Sequence, residues 1–173
     1  RYASEGFLAA APDLYRGKTA ETPAAAAKLM SELKLDEGVA TIRATVNELR
    51  RTNGLDHFGI TGFCMGGTYA LRAACLVEGI SAAVPFYGDI PEEPVLKRLR
   101  VPTIFISATK DGWINTEKVS FLEDAAERYE LPVESVKYEA GHAFFNDTRP
   151  EVYVAEAAQD AWALAVGFFE DKL

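Results

Sequence analysis

Apolar residues recur along this chain in two rhythms: short continuous or alternating runs, and longer stretches with apolar positions three or four apart. The first rhythm predicts strands and the second amphipathic helices. Residues 7–11, Phe-Leu-Ala-Ala-Ala, form an apolar run ended by Pro12-Asp13 and predict a buried strand. Residues 22–33 predict a helix, with Thr22 as N-cap and Pro23 at the first helical position. A second helix is expected from about 36 to about 51, where Val39, Ile42, Val46 and Leu49 share a face, and Asn53-Gly54 ends it. Residues 57–63 then predict a strand, 68–77 a helix, and 80–87 a strand broken by Gly88-Asp89-Ile90-Pro91. Residues 101–107 predict another strand, 117–129 a helix, 133–138 an alternating strand, and 151–169 a long final helix.

Strands that alternate with helices argue an α/β fold, a mostly parallel sheet covered by helices on both faces. No repeat, low-complexity tract or linker interrupts the pattern, so one domain is expected over residues 1–173. A hydrophobic fraction of 49% is enough to build an ordinary globular core. The net charge of −8 opposes non-specific nucleic-acid binding and gives no attraction to an anionic membrane. No apolar run reaches the roughly 18 residues that span a bilayer. Two cysteines in apolar surroundings make no disulfide framework and fit a reducing, cytoplasmic compartment. The chain opens Arg1-Tyr2-Ala3-Ser4-Glu5-Gly6, without methionine, like the last turn of a helix capped by Gly6. That opening predicts further residues upstream of Arg1.

The candidate chemistry centres on Gly62-Phe63-Cys64-Met65-Gly66-Gly67. It follows a predicted strand and precedes a predicted helix, and it has the form of a nucleophile elbow with cysteine where serine is usual. Glycines flank the nucleophile because so tight a turn leaves no room for side chains beside it. Cys75, by contrast, sits mid-helix in Ala73-Ala74-Cys75-Leu76 and reads as core packing. A cysteine nucleophile needs a base, and the base an orienting acid. Of the two histidines, His142 follows a predicted strand, at the carboxyl edge where parallel sheets build their sites. His57 begins a strand at the opposite edge and reads as a surface residue. Asp111 lies on the loop after residues 101–107, giving the chain order nucleophile, acid, histidine; Asp89, one strand earlier, is the rival acid. The expected reaction is attack by Cys64 on an ester or lactone carbonyl. His142 manages the proton, Asp111 orients the imidazole, and the Met65 backbone N–H stabilises the oxyanion. Two distant histidines and two distant cysteines make no metal-ligand set, and no cofactor is expected.

Together with Pro12-Asp13-Leu14-Tyr15, Phe86-Tyr87-Gly88 and Gly141-His142-Ala143-Phe144, the elbow resembles the dienelactone hydrolase family of α/β-hydrolases, over essentially the whole chain. The resemblance implies a carboxymethylenebutenolidase-like enzyme that opens enol-lactones through a triad of Cys64, Asp111 and His142, without metal or cofactor. It also implies an N-terminal part lying upstream of residue 1. That part carries the early strands, a second oxyanion donor and a glutamate that controls the resting thiol. Residues 7–11 would then be the family's fourth strand, with the third lost from beside it. Either the natural chain is longer, or it re-pairs its sheet, a second copy in a homo-oligomer being one means. Substrate-binding residues implied by the resemblance are Arg16, one position early for a carboxylate-binding arginine, Tyr87, and Trp113 as a pocket wall. Where the family places a second arginine this chain has Asn146, with Arg149 as a substitute, so dienelactone itself is not the assured substrate. Two other readings compete: a non-catalytic binding protein on a hydrolase fold, and a thiol redox sensor at Cys64. The second lacks a nearby resolving cysteine.

Overall fold

The structure is a computed structural model that describes all residues 1–173. The chain forms two compact units, residues 1–55 and residues 56–173.

In the first unit a single 3-10 turn, Tyr2–Glu5, is closed by Gly6 in the left-handed conformation (φ 94°). Helix α1 (Pro23–Glu32) starts as expected: the Thr22 hydroxyl accepts the Ala25 N–H at 3.2 Å and proline follows the cap. Helix α2 (Leu35–Asn53) carries Asp36 and Glu37 in its first turn and Arg50 and Arg51 in its last, matching the helix dipole at both ends. It buries Gly38, Val39, Ile42 and Val46 and ends at left-handed Gly54. Residues 7–11 are not a strand. A strand exists only by pairing, and the sheet of this protein is built from four other segments. Residues 8–11 are exposed instead. Beyond them Asp13 organises a turn, accepting the Tyr15 N–H at 2.9 Å and the Gly17 N–H at 2.5 Å.

The second unit is a parallel sheet of β1 (Phe58–Phe63), β2 (Ile80–Phe86), β3 (Thr103–Ala108) and β4 (Val133–Tyr138), in that spatial order. Every residue of β3 is buried, and β2 nearly so, which explains their continuous apolar runs. The edge strand β4 is less buried and alternates in sequence. Helix α3 (Met65–Leu76) packs on β1 and β2, helix α5 (Thr116–Tyr129) on β4, and the final helix α6 (Ala155–Lys172) on β2. A side chain at Gly59 would collide with Phe169 of α6, while one at Gly62 would collide with Gly66 of α3. Positions 59 and 62 point to opposite faces of a strand, so α3 and α6 cover opposite faces of β1.

Two helix starts and one whole helix depart most from expectation. Helix α3 starts at Met65 rather than 68, because the elbow runs directly into it through two glycines of low helix propensity. Helix α6 starts at Ala155 rather than 151, since residues 149–153 close a turn on the Arg149 carbonyl. A short helix α4 (Glu93–Leu96), unanticipated, follows β2.

Candidate active site

Cys64 stands between β1 and α3 with φ 54° and ψ −114°. For a residue with a Cβ this backbone costs about 1–3 kcal/mol and persists only where its surroundings impose it. Here the Cys64 N–H donates to the Phe86 carbonyl at 3.1 Å and the Cys64 carbonyl accepts the Thr68 N–H at 3.0 Å. The turn is tight enough that a Cβ on Gly62 would fall on the Gly66 carbonyl, and one on Gly67 on the Phe86 carbonyl. These glycines are therefore steric necessities of the elbow.

The thiol of Cys64 faces His142, whose Nε2 lies 3.1 Å from Sγ. Across the ring, His142 Nδ1 donates to Asp111 Oδ2 at 2.6 Å. The Asp111 side chain is fully buried, and its second oxygen accepts the backbone N–H groups of Trp113 (2.8 Å) and Ile114 (2.9 Å). That fixes the carboxylate and hence the ring it orients. The imidazole is held up to about 9, first by its hydrogen bond with the Cys64 sulfur and then by Asp111, against partial burial that opposes the charge. Two further non-glycine residues with left-handed backbone flank the pair: Tyr87 (φ 36°) after β2, and Ala143 (φ 63°) beside His142. Strained positions gathered at the carboxyl edge of the sheet are a mark of a functional site.

The remaining anticipated residues fall in distinct places. Met65 opens α3 immediately after Cys64. Tyr87 is 2% exposed and sets its ring edge-on to His142 at 5.1 Å between centroids. Burial raises its phenol well above the usual range, the Cys64 sulfur adds to that, and a hydrogen bond from the Phe145 backbone opposes it. Trp113, 47% exposed, lies 5.5 Å from His142. Arg16 belongs to the first unit, where its exposed guanidinium lies 3.5 Å from Glu37. Asp89, the rival acid, accepts Lys118 Nζ at 2.7 Å. Arg149 pairs with Glu151 at 2.8 Å, and Asn146 accepts the Thr148 N–H. His57 contacts Ser81 at 3.2 Å at the amino ends of β1 and β2. Cys75 is buried, and burial pushes its thiol up to about 12. Sequence reasoning missed the aromatic stack beside the elbow. Phe63, 38% exposed, stacks on Phe145 at 4.9 Å and lies against Phe86 at 4.6 Å. The aromatic residues of Phe63-Cys64 and Phe144-Phe145 were the available signal.

A family model, the dienelactone hydrolase family, matches residues 1–173. "Protein usf" of Aquifex pyrophilus is 39% identical over 183 residues, covering 100% of this chain and 78% of that protein. A "Putative carboxymethylenebutenolidase" of Aquifex aeolicus is 38% identical with the same coverage. Among solved structures, the "Putative Dienelactone Hydrolase" from Klebsiella pneumoniae superposes with a TM-score of 0.83 at 27% identity, over 92% of this chain and 73% of that one. With family model, sequence identity and superposition in agreement, the chain belongs to the dienelactone hydrolase family: it is a dienelactone hydrolase-like hydrolase on the α/β fold.

Proposed function

We propose that the protein is a cysteine-dependent hydrolase of small esters or lactones, acting through Cys64, His142 and Asp111 by way of a thioester. The observation that carries this reading is one imidazole bonded on one side to a thiol and on the other to a buried carboxylate, at 3.1 and 2.6 Å. An imidazole held near 9 is charged at neutral pH, so His142 is read as an imidazolium facing the Cys64 sulfur.

The chemistry then runs in two halves. The Cys64 thiolate attacks the substrate carbonyl carbon, and the carbonyl electron pair moves onto oxygen. The Met65 N–H at the start of α3 donates to that oxyanion. Collapse expels the alcohol or enol oxygen, which takes its proton from His142, leaving a thioester on Cys64. Acylation removes the hydrogen bond to the Cys64 sulfur that is the main cause of the raised imidazole, so His142 falls towards its ordinary value and becomes a base. It takes a proton from water, hydroxide attacks the thioester, and the thiolate leaves, regenerating the pair. Asp111 supports the imidazolium and fixes its tautomer throughout.

On this reading Trp113 walls the site and Tyr87 backs the histidine. The partner is a small-molecule ester or lactone rather than nucleic acid, in a cytoplasmic setting, with a homo-oligomer as the candidate assembly. No helix is long and apolar enough to cross a membrane. Rapid quenching of the reaction with p-nitrophenyl acetate, followed by peptide mass mapping, tests the reading. An acetyl group on the Cys64 peptide, labile to hydroxylamine, is expected. Acetylation of another residue on the turnover path would overturn it.

A further inference from the structure

The end of β2 and the loop that follows it reach the strained Cys64 backbone at both of its polar groups. Directly, the Phe86 carbonyl accepts the Cys64 N–H at 3.1 Å. Indirectly, the Cys64 carbonyl accepts the Thr68 hydroxyl at 3.3 Å, and that same hydroxyl accepts the Asp89 N–H at 2.8 Å. Asp89 is in turn tied down: its Oδ1 accepts Lys118 Nζ at 2.7 Å and the Ile90 N–H at 3.1 Å. Lys118 lies in the first turn of α5, whose N-cap Asn115 accepts the Lys118 N–H at 3.1 Å. One turn further along α3 the buried Arg72 guanidinium pairs with Glu92. The loop can approach this closely because position 88 is glycine; a Cβ there would fall on the Thr68 nitrogen.

A threonine hydroxyl that bonds back to the carbonyl four residues earlier is a common helical contact and by itself says little. What distinguishes Thr68 is that its lone pair is also used, by a backbone N–H from a different loop. The hydroxyl becomes a bridge between the nucleophile's own carbonyl and the loop that follows β2.

We propose that Thr68 is a positioning residue for Cys64: its hydroxyl, anchored by Asp89 and through it by Lys118, holds the Cys64 backbone so that Sγ stays opposite His142 Nε2. The proposal rests on Cys64 being the nucleophile. Thr68 takes no proton in the reaction and touches no substrate. Without the hydroxyl the Asp89 N–H loses its acceptor and the loop is released from the elbow. A reacting group misplaced by about 1 Å can cost on the order of 100-fold in rate.

The test compares the full chain with Thr68→Val, Thr68→Ser, Lys118→Met and Cys64→Ala. Two readouts are taken: hydrolysis of p-nitrophenyl acetate, and the pH profile of Cys64 alkylation by iodoacetamide. Thr68→Val is expected to lower kcat about 10- to 100-fold with KM little changed. Its Cys64 alkylation slows and its pH profile changes, because Sγ is no longer held opposite the imidazole. Thr68→Ser restores both readouts, which loss of threonine packing alone would not explain. Lys118→Met, a surface change, is expected to lower kcat about two- to fivefold. It carries the test if Thr68→Val fails to fold. A folded Thr68→Val with unchanged kcat and profile overturns the proposal, as does Thr68→Ser impaired as much as Thr68→Val, or an unaffected Lys118→Met. If Cys64→Ala retains turnover, the nucleophile assignment itself fails. If Cys64→Ala is inactive while the Thr68 variants match the parent, only the positioning role falls.

Discussion

Cys64 and Cys75 sit eleven residues apart on the same strand–helix unit and meet opposite fates. Cys75 is buried and its thiol is pushed up to about 12 by that burial. Cys64 is partly exposed and bonded to an imidazole. Brief treatment with iodoacetamide at neutral pH should therefore modify Cys64 and spare Cys75, as peptide mapping would show; equal labelling would contradict the contrast. Asp111→Asn should lower kcat by about 100- to 10,000-fold, by analogy with the orienting acid of serine triads. It removes a contribution that raises His142, so the histidine should titrate below 9 in that variant, which NMR of the imidazole would show. That Cys64, Asp111 and His142 come together was legible in the sequence from the glycines flanking Cys64 and the chain order of the three. The left-handed backbones of Tyr87 and Ala143 were not, since neither residue type asks for that conformation; the tertiary contacts impose it.

Among the elements, the elbow is the most sharply constrained, and its three glycines are not equivalent. A Cβ at Gly62 or Gly67 would sit on backbone atoms that cannot move aside, whereas a Cβ at Gly66 would meet nothing within 4 Å. Gly62→Ala and Gly67→Ala should each destabilise the protein by at least about 1–3 kcal/mol. Gly66→Ala should be neutral or stabilising by up to about 1 kcal/mol, since alanine favours a helix. Urea unfolding of the three variants checks this; a uniform response would contradict it. The helices were readable where caps and periodicity coincide, as at Thr22-Pro23 and Val39-Ile42-Val46. The runs at 7–11 and 101–107 look alike locally, yet only the second contributes a strand, β3. The difference is a partner strand, which is a property of distant residues. Helix α4 was missed for a simpler reason: four residues are too few to show a period.

Across the whole molecule, the chain spans 78% of the length of its Aquifex relatives and keeps the parallel sheet that carries Cys64, Asp111 and His142 at its carboxyl edge. The raised histidine at that edge also links the site to stability. His142 lies at about 9 in the fold against an ordinary 6.5. A group raised on folding stabilises most fully below its unfolded value, and that contribution is lost as pH rises through the folded one. Between about pH 6.5 and 9 the parent protein should therefore lose thermal stability that a His142→Gln variant does not lose; parallel curves for the two would contradict the raised histidine. The central claim, that the cysteine elbow performs the chemistry, is tested most directly by turnover of dienelactone and a panel of small activated esters by the parent chain and by Cys64→Ala. The account predicts hydrolysis by the parent and none above background by the variant. Equal hydrolysis by both would contradict it.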